Sequence, residues 1–221
     1  MPQSVGKQLQ NFNTLAVKYG QYRTIRRWEC VDADNAKIPW YTYPAIEYLN
    51  SIDFQGMVVF EYGSGNSSAY WARKAKCVYS VEHERKWYEE IKRAVADNQV
   101  IELCEKEEDY VNAIRRLPGK VDVIVIDGLY RQACAELVHD HLAADGIVIL
   151  DNADWHRTTS RYLRDNLNLL QVDFHGFGPI NPYTWTTSIF ISRTARLRPL
   201  QGSQPHYSIA AIKKDHAETL R

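Results

Sequence analysis

Between residues 58 and 168 the chain alternates five short apolar runs with five helix-prone stretches, and few folds accommodate that pattern. The runs are Val58-Val59-Phe60, Cys77 to Val81, Val100 to Cys104, Val121 to Ile126 and Ile147 to Leu150. Helices are expected over 67–76, 84–97, 109–116, 131–143 and 155–168. Strands alternating with helices predict a parallel sheet covered on both faces, an α/β fold. The pattern then changes: Leu170 to Phe174 and Thr187 to Ser192 read as two strands joined by a Gly/Pro-rich loop without a helix, which predicts an antiparallel edge. A length of 221 residues suits one such domain rather than two.

Ahead of the core, Val5, Leu9, Phe12, Ala16 and Tyr19 recur at helical spacing and Gly20 follows as an expected C-cap. Residues 38–44 hold two prolines around an aromatic cluster and cannot form a helix interior; Ala45 to Asn50 reads as a short helix. The expected organisation is an N-terminal helical and aromatic segment (1–50) within the same domain, a core (51–193) and a basic tail (194–221) with a final helix after Ser208.

Bulk properties exclude several classes. No apolar run is long enough for a membrane span, and the first eight residues lack the apolar centre of a signal peptide, so a cytoplasmic location is expected. Cys30, Cys77, Cys104 and Cys134 form no C-x-x-C pair, which argues against a zinc cluster or a redox motif. Formal net charge is zero, so charge gives no case for nucleic acid as the main partner.

In open α/β sheets ligands bind beyond the carboxyl ends of the strands. Read in turn, those ends offer Glu61, Glu82, the run Glu107-Glu108-Asp109, Asp127 and Asp151. A single such acid caps a following helix as readily as it binds a ligand. Five together imply a ligand with positive charges and free hydroxyls rather than a string of phosphates. The loop Glu61-Tyr62-Gly63-Ser64-Gly65-Asn66-Ser67 lies between a strand and a helix, where Gly63 permits a tight turn and Gly65 lets a ligand approach the backbone. The lysine of a phosphate loop is absent, and the third glycine of a dinucleotide fingerprint is replaced by Ser68. S-adenosyl-L-methionine needs neither, and Glu82 has two oxygens for its ribose hydroxyls.

Residues 58–67 resemble the first motif of class I S-adenosylmethionine-dependent methyltransferases, Ser80-Val81-Glu82-His83 their ribose-binding acid, and residues 121–128 and 145–152 their fourth- and fifth-strand motifs. The resemblance covers roughly 56–192 and implies a Rossmann-like seven-stranded sheet of order 3-2-1-4-5-7-6 with the last strand antiparallel. It implies a cofactor site of Glu61, Gly63, Ser64, Gly65, Ser67, Glu82, His83, Asp109 and Asp127. Asp127 with Asp151 and Asn152 is also similar to the oxygen-ligand triad of metal-dependent catechol-type O-methyltransferases, which implies Mg²⁺ there. The alternative is that Asp127 faces the cofactor's ammonium while Asp151 or Asn152 caps a helix.

Asp127 and His156 are the candidate proton acceptors, and Trp155 and His156 are placed to touch substrate. Trp40, Tyr41 and Tyr43 are either core packing or a lid over the sulfonium. Asn181-Pro182-Tyr183 reads as a turn, and His139 and His141 face different ways on one helix. The expected function is methyl transfer to a hydroxyl of a small molecule or sugar. The rivals are an aminopropyl transferase, a nicotinamide-dependent oxidoreductase and a non-catalytic cofactor-binding module.

Overall fold

The computed structural model describes residues 3–202 and 204–213. Seven strands form one sheet: β1 (Val58–Tyr62), β2 (Cys77–Glu82), β3 (Gln99–Leu103), β4 (Val121–Ile126), β5 (Leu142–Leu150), β6 (Leu170–Gly176) and β7 (Trp185–Ile191). Their order is β3-β2-β1-β4-β5-β7-β6. β1 to β5 run parallel, and β7 is antiparallel to both β5 and β6. The sheet that the family resemblance implies is therefore the sheet observed.

Alternation along each strand sorts the core into two layers. Val59, Val123, Val125, Ile147, Ile149 and Ile189 face one cluster. Phe60, Ile124, Ile126, Val148, Leu150 and Phe190 face the other. The first cluster is completed by the N-terminal part of the chain, through Cys30, Ile38, Tyr41, Tyr43, Ile46 and Leu49.

The helices are α1 (Gln3–Asn13), α2 (Gln21–Arg27), α3 (Tyr43–Asn50), α4 (Asn66–Ala72), α5 (Arg85–Ile91), α6 (Glu107–Val111), α7 (Arg131–Glu136), α8 (Val138–His141) and α9 (Arg157–Arg161). Each of the five helices expected in the core is present, though shorter. Three tighten or widen at the end into a 3₁₀ or π turn, over 92–94, 112–116 and 162–166. The expected 131–143 helix breaks into α7 and α8 around Leu137, and β5 begins at Leu142.

The helix expected at the N-terminus is present as α1; Val5, Leu9 and Phe12 of its apolar stripe are exposed (Phe12 at 69%), and Leu15 and Tyr19 beyond it pack against the core. Gly20 closes the first helical segment in the left-handed conformation (φ +77°), its N–H on Val17 O (3.2 Å), and also serves as N-cap of α2; a β-carbon there would meet the Asp32 backbone at 2.5 Å. One expectation is corrected: β3 ends at Leu103, and Glu107, Glu108 and Asp109 form the exposed first turn of α6 rather than the strand end, where Glu102 and Glu105 are instead paired with Arg116 and Arg85. The final helix expected after Ser208 meets a turn at 209–210 and irregular chain at 211–213; from Lys214 on it lies outside the described residues.

Gly63 lies at a close backbone crossing. Its φ is +94°, and a β-carbon there would lie 3.1 Å from the Gly128 backbone beyond β4. Gly63→Ala is expected to destabilise the protein by about 1–3 kcal/mol. Urea unfolding checks this: an unchanged midpoint would mean that the loop relaxes without cost.

Candidate active site

Register explains why distant carboxylates meet. Glu61 pairs with Val125 on β4, and Val125 with Ile149 on β5. Two residues further along, on the same side of the pleat, come Asp127 and Asp151. All three therefore leave the sheet toward the layer that contains Tyr41 and Cys30. The charges are felt mutually: Asp127 raises the pKa of Asp151, and Glu61 raises that of Asp127.

Glu61 is fully buried. Its Oε2 accepts hydrogen bonds from Ser80 Oγ (2.9 Å) and from Ser68 Oγ. The Ser67 hydroxyl is near enough to favour the charged form, yet Oε1 has no hydrogen-bond partner of good geometry among the described residues. Burial outweighs the hydroxyls and pushes the pKa up to about 7. The Tyr41 hydroxyl and Trp71 Nε1, in the same layer, interact with each other without a hydrogen bond of good geometry, so a buried polar nest lies beneath the glycine loop.

Asp127 is 22% exposed, and burial raises its pKa to about 7 against the opposing charge of Arg131, whose Nη2 lies 3.3 Å from Oδ1. Asp151 is buried. Its Oδ1 accepts from Trp185 Nε1 (3.0 Å) and Thr187 Oγ1 (2.5 Å), and burial with the Asp127 charge raises its pKa further. Thr187 in turn accepts the backbone N–H of Thr42 (2.9 Å), which ties the N-terminal segment to the site.

Arg131 was not anticipated as a site residue, although its place four residues after Asp127 on a new helix was a readable signal. It donates to the carbonyls of Gly128 (2.9 Å) and Asp151 and to Asn152 Oδ1 (3.4 Å). This guanidinium bears on the metal expectation. Asp127 and Asn152 already face Arg131, and Asp151 Oδ1 is committed to Trp185 and Thr187. Mg²⁺ would have to share its ligands with a fixed positive charge, so the triad does not fit the ion. No group of three His, Cys, Asp or Glu side chains among the described residues has a metal-binding arrangement either.

Glu82 is clamped by the backbone N–H groups of His83 and Glu84, both 2.9 Å from Oε1. Its Oε2 accepts from Ser64 N–H (3.3 Å) and Ser64 Oγ (2.9 Å). Ribose capture by Glu82 therefore requires the Ser64 hydroxyl to turn away. His83 Nδ1 lies 3.1 Å from the same carboxylate. Asp109 is exposed in the first turn of α6 and, like Glu82 and His83, does not line the cleft over the glycine loop. His156 caps α9 outside the cleft wall, where burial and the Arg131 charge lower its pKa.

The cleft above these groups has a volume of about 950 Å³. Ser64, Gly65, Asn66, Ser67, Asp127, Asp151 and Asn152 line its floor, and the 27–40 segment supplies the opposite wall, including Cys30 and Trp40. Gly65 has extended backbone, and a β-carbon there would meet the Trp87 ring at 3.5 Å. Trp87 Nε1 donates to Ser64 O at 2.8 Å, so the indole already rests on the glycine loop. Trp28, Trp40, Trp87, Trp155 and Trp185 all border the cleft, five of the chain's six tryptophans. The aromatic cluster at 40–43 thus divides: Tyr41 and Tyr43 pack in the core, while Trp40 faces the cleft. Trp28 and Asn152 have positive φ (56° and 50°), a conformation that bulky side chains rarely adopt and that concentrates at functional sites.

No protein-family model matches the chain, and no curated protein matches it. Solved structures do. A methyltransferase from Geobacter sulfurreducens is 14% identical, with 87% of this chain and 96% of that one covered at a TM-score of 0.52. A candidate methyltransferase from Pseudomonas syringae is 14% identical, covering 67% and 96% at 0.50. Spermidine synthase from Thermotoga maritima is 14% identical at 0.50, covering 69% of this chain and 57% of that one. With the observed strand order, these likenesses establish that the chain has the Rossmann-like fold of class I methyltransferases.

Proposed function

We propose that the protein transfers a methyl group from S-adenosylmethionine to a hydroxyl of a small molecule or sugar bound in this cleft. The observation that carries this reading is the convergence of Glu61, Asp127 and Asp151 at three strand ends, with Arg131 the counter-cation beside Asp127. Three mutually destabilised carboxylates favour a cationic ligand. The unpaired Oε1 of buried Glu61 is a ready acceptor for an ammonium group.

When bound, S-adenosylmethionine supplies a methyl carbon on a positively charged sulfur, which keeps the C–S electron pair as the methyl group leaves. Asp127 takes the acceptor's hydroxyl proton as the new O–C bond forms. Its pKa of about 7 suits a base that must release the proton again. Arg131 orients that carboxylate, and Trp185 and Thr187 hold Asp151 beside it. The tryptophans of the wall offer flat faces to the acceptor. Alignment of acceptor oxygen, methyl carbon and sulfur is the main catalytic contribution.

S-adenosylhomocysteine is expected to bind, and Glu82→Ala to weaken it roughly ten- to hundredfold through loss of charge-assisted hydrogen bonds to the ribose. Calorimetry decides: equal affinity in the variant would remove Glu82 from the ribose site, and no binding to the wild type would refute the methyltransferase reading.

A further inference from the structure

Residues 3–28 contain no Asp or Glu but carry Lys7, Lys18, Arg23, Arg26 and Arg27. On α2 and the turn after it, Tyr22, Arg23, Arg26, Arg27 and Asn35 line a second, open cleft of about 740 Å³. Among the described residues no carboxylate pairs with Arg23, Arg26 or Arg27 within 4.0 Å. Cations packed within one turn of a short helix repel one another. The helix dipole favours Arg26 and Arg27 in the last turn, but it does not account for Arg23.

The site is built rather than incidental. Asp32 Oδ1 accepts the backbone N–H groups of Asp34 (2.9 Å) and Ala36 (2.8 Å), which fixes the turn holding Asn35 at φ +70°. Asn35 Oδ1 then accepts from Arg27 Nη1 and fixes that guanidinium. Arg27 also lines the first cleft, so the two clefts meet there, beside Trp28.

We propose that this second cleft binds a phosphate group of the acceptor, whose methyl-accepting end reaches past Trp28 and Trp40 to Asp127. Three guanidinium forks offer more donors than the two oxygens of a carboxylate can use, whereas a phosphate ester presents three oxygens and up to two charges. The proposal rests on the methyltransferase reading for what lies at the far end, and not for the phosphate site itself. The acceptor is a soluble phosphate ester with a flat ring.

The test is titration of the full chain with inorganic phosphate, uridine monophosphate, uridine and a short oligouridylate, with and without saturating S-adenosylhomocysteine. The comparison is the Arg23→Gln, Arg26→Gln double variant, whose exposed substitutions leave the fold unchanged by circular dichroism. Binding of the monophosphate above uridine, weakened about tenfold or more in the double variant and by added salt, is the expected result. Arginine-dependent binding of the oligouridylate alone supports the phosphate site and assigns it to a polymer backbone. Equal binding in the two proteins, or none by any phosphate, overturns the proposal. Failure of S-adenosylhomocysteine to bind counts against the cofactor reading only, because the phosphate titrations are also made without it.

Discussion

Asp127→Asn is expected to lower kcat by about 10²–10⁴ while S-adenosylhomocysteine affinity stays nearly unchanged. The asparagine keeps the shape of the side chain and its contact with Arg131, which lies 3.3 Å from Oδ1, but removes the proton acceptor. In the wild type kcat should rise with pH through about 7 as Asp127 ionises, and this step should vanish in the variant. The sequence suggests two roles for Asp127, cofactor ligand and base, and the measurement separates them. A fall in affinity with kcat preserved would assign it to the cofactor. Full turnover with an unaltered pH profile would mean that the proton leaves by another route. A second readout comes from Asp151, whose pKa is raised partly by the Asp127 charge. Neutralising Asp127 should therefore also stabilise the folded protein above pH 7, which loss of a merely structural contact would not do.

What the sequence makes legible follows from the range of the interactions involved. Strand runs, the glycine loop and the antiparallel edge are local patterns, and each is found where the pattern places it. The strand-end acids are legible as a group, because a strand end is defined by the run before it. Their convergence depends on which side of the pleat each one takes, and that follows from register between β1, β4 and β5, which no single run displays. Asp109 illustrates the limit. It follows an apolar run as the others do, but Cys104 to Lys106 intervene and turn the chain before Asp109 is reached. The opposite wall is set by contacts spanning a hundred residues or more, such as Thr42 N–H on Thr187. Arg27, Trp28 and Cys30 consequently have no local signature as cleft residues. The outward face of α1 has no local signature either: helical periodicity reports that a stripe exists, not what it faces.

Stability should fall as pH rises, and Glu61 is the group that makes this testable. Its folded pKa of about 7 lies above the ordinary value of 4.5 because burial disfavours the charge. Below the unfolded value both states are protonated and no penalty applies. Between the two values the unfolded chain releases a proton that the folded protein retains, so stability declines with pH until Glu61 ionises in place near pH 7. For this group the decline totals about 3 kcal/mol. Asp127 and Asp151 are shifted in the same direction and add to the slope. Glu61→Gln removes one contribution, so urea unfolding at pH 8 should show the variant more stable than the wild type by up to about 3 kcal/mol, with the difference closing near pH 4.5. Added S-adenosylmethionine should reduce the wild-type slope, because a cation bound beside Glu61 favours its charged form, and should have little effect on the variant. A wild type whose stability is flat from pH 5 to 8 would show that Glu61 is not held in an apolar nest. A slope that S-adenosylmethionine leaves unchanged would show that the nest is real but does not receive the cofactor's positive end.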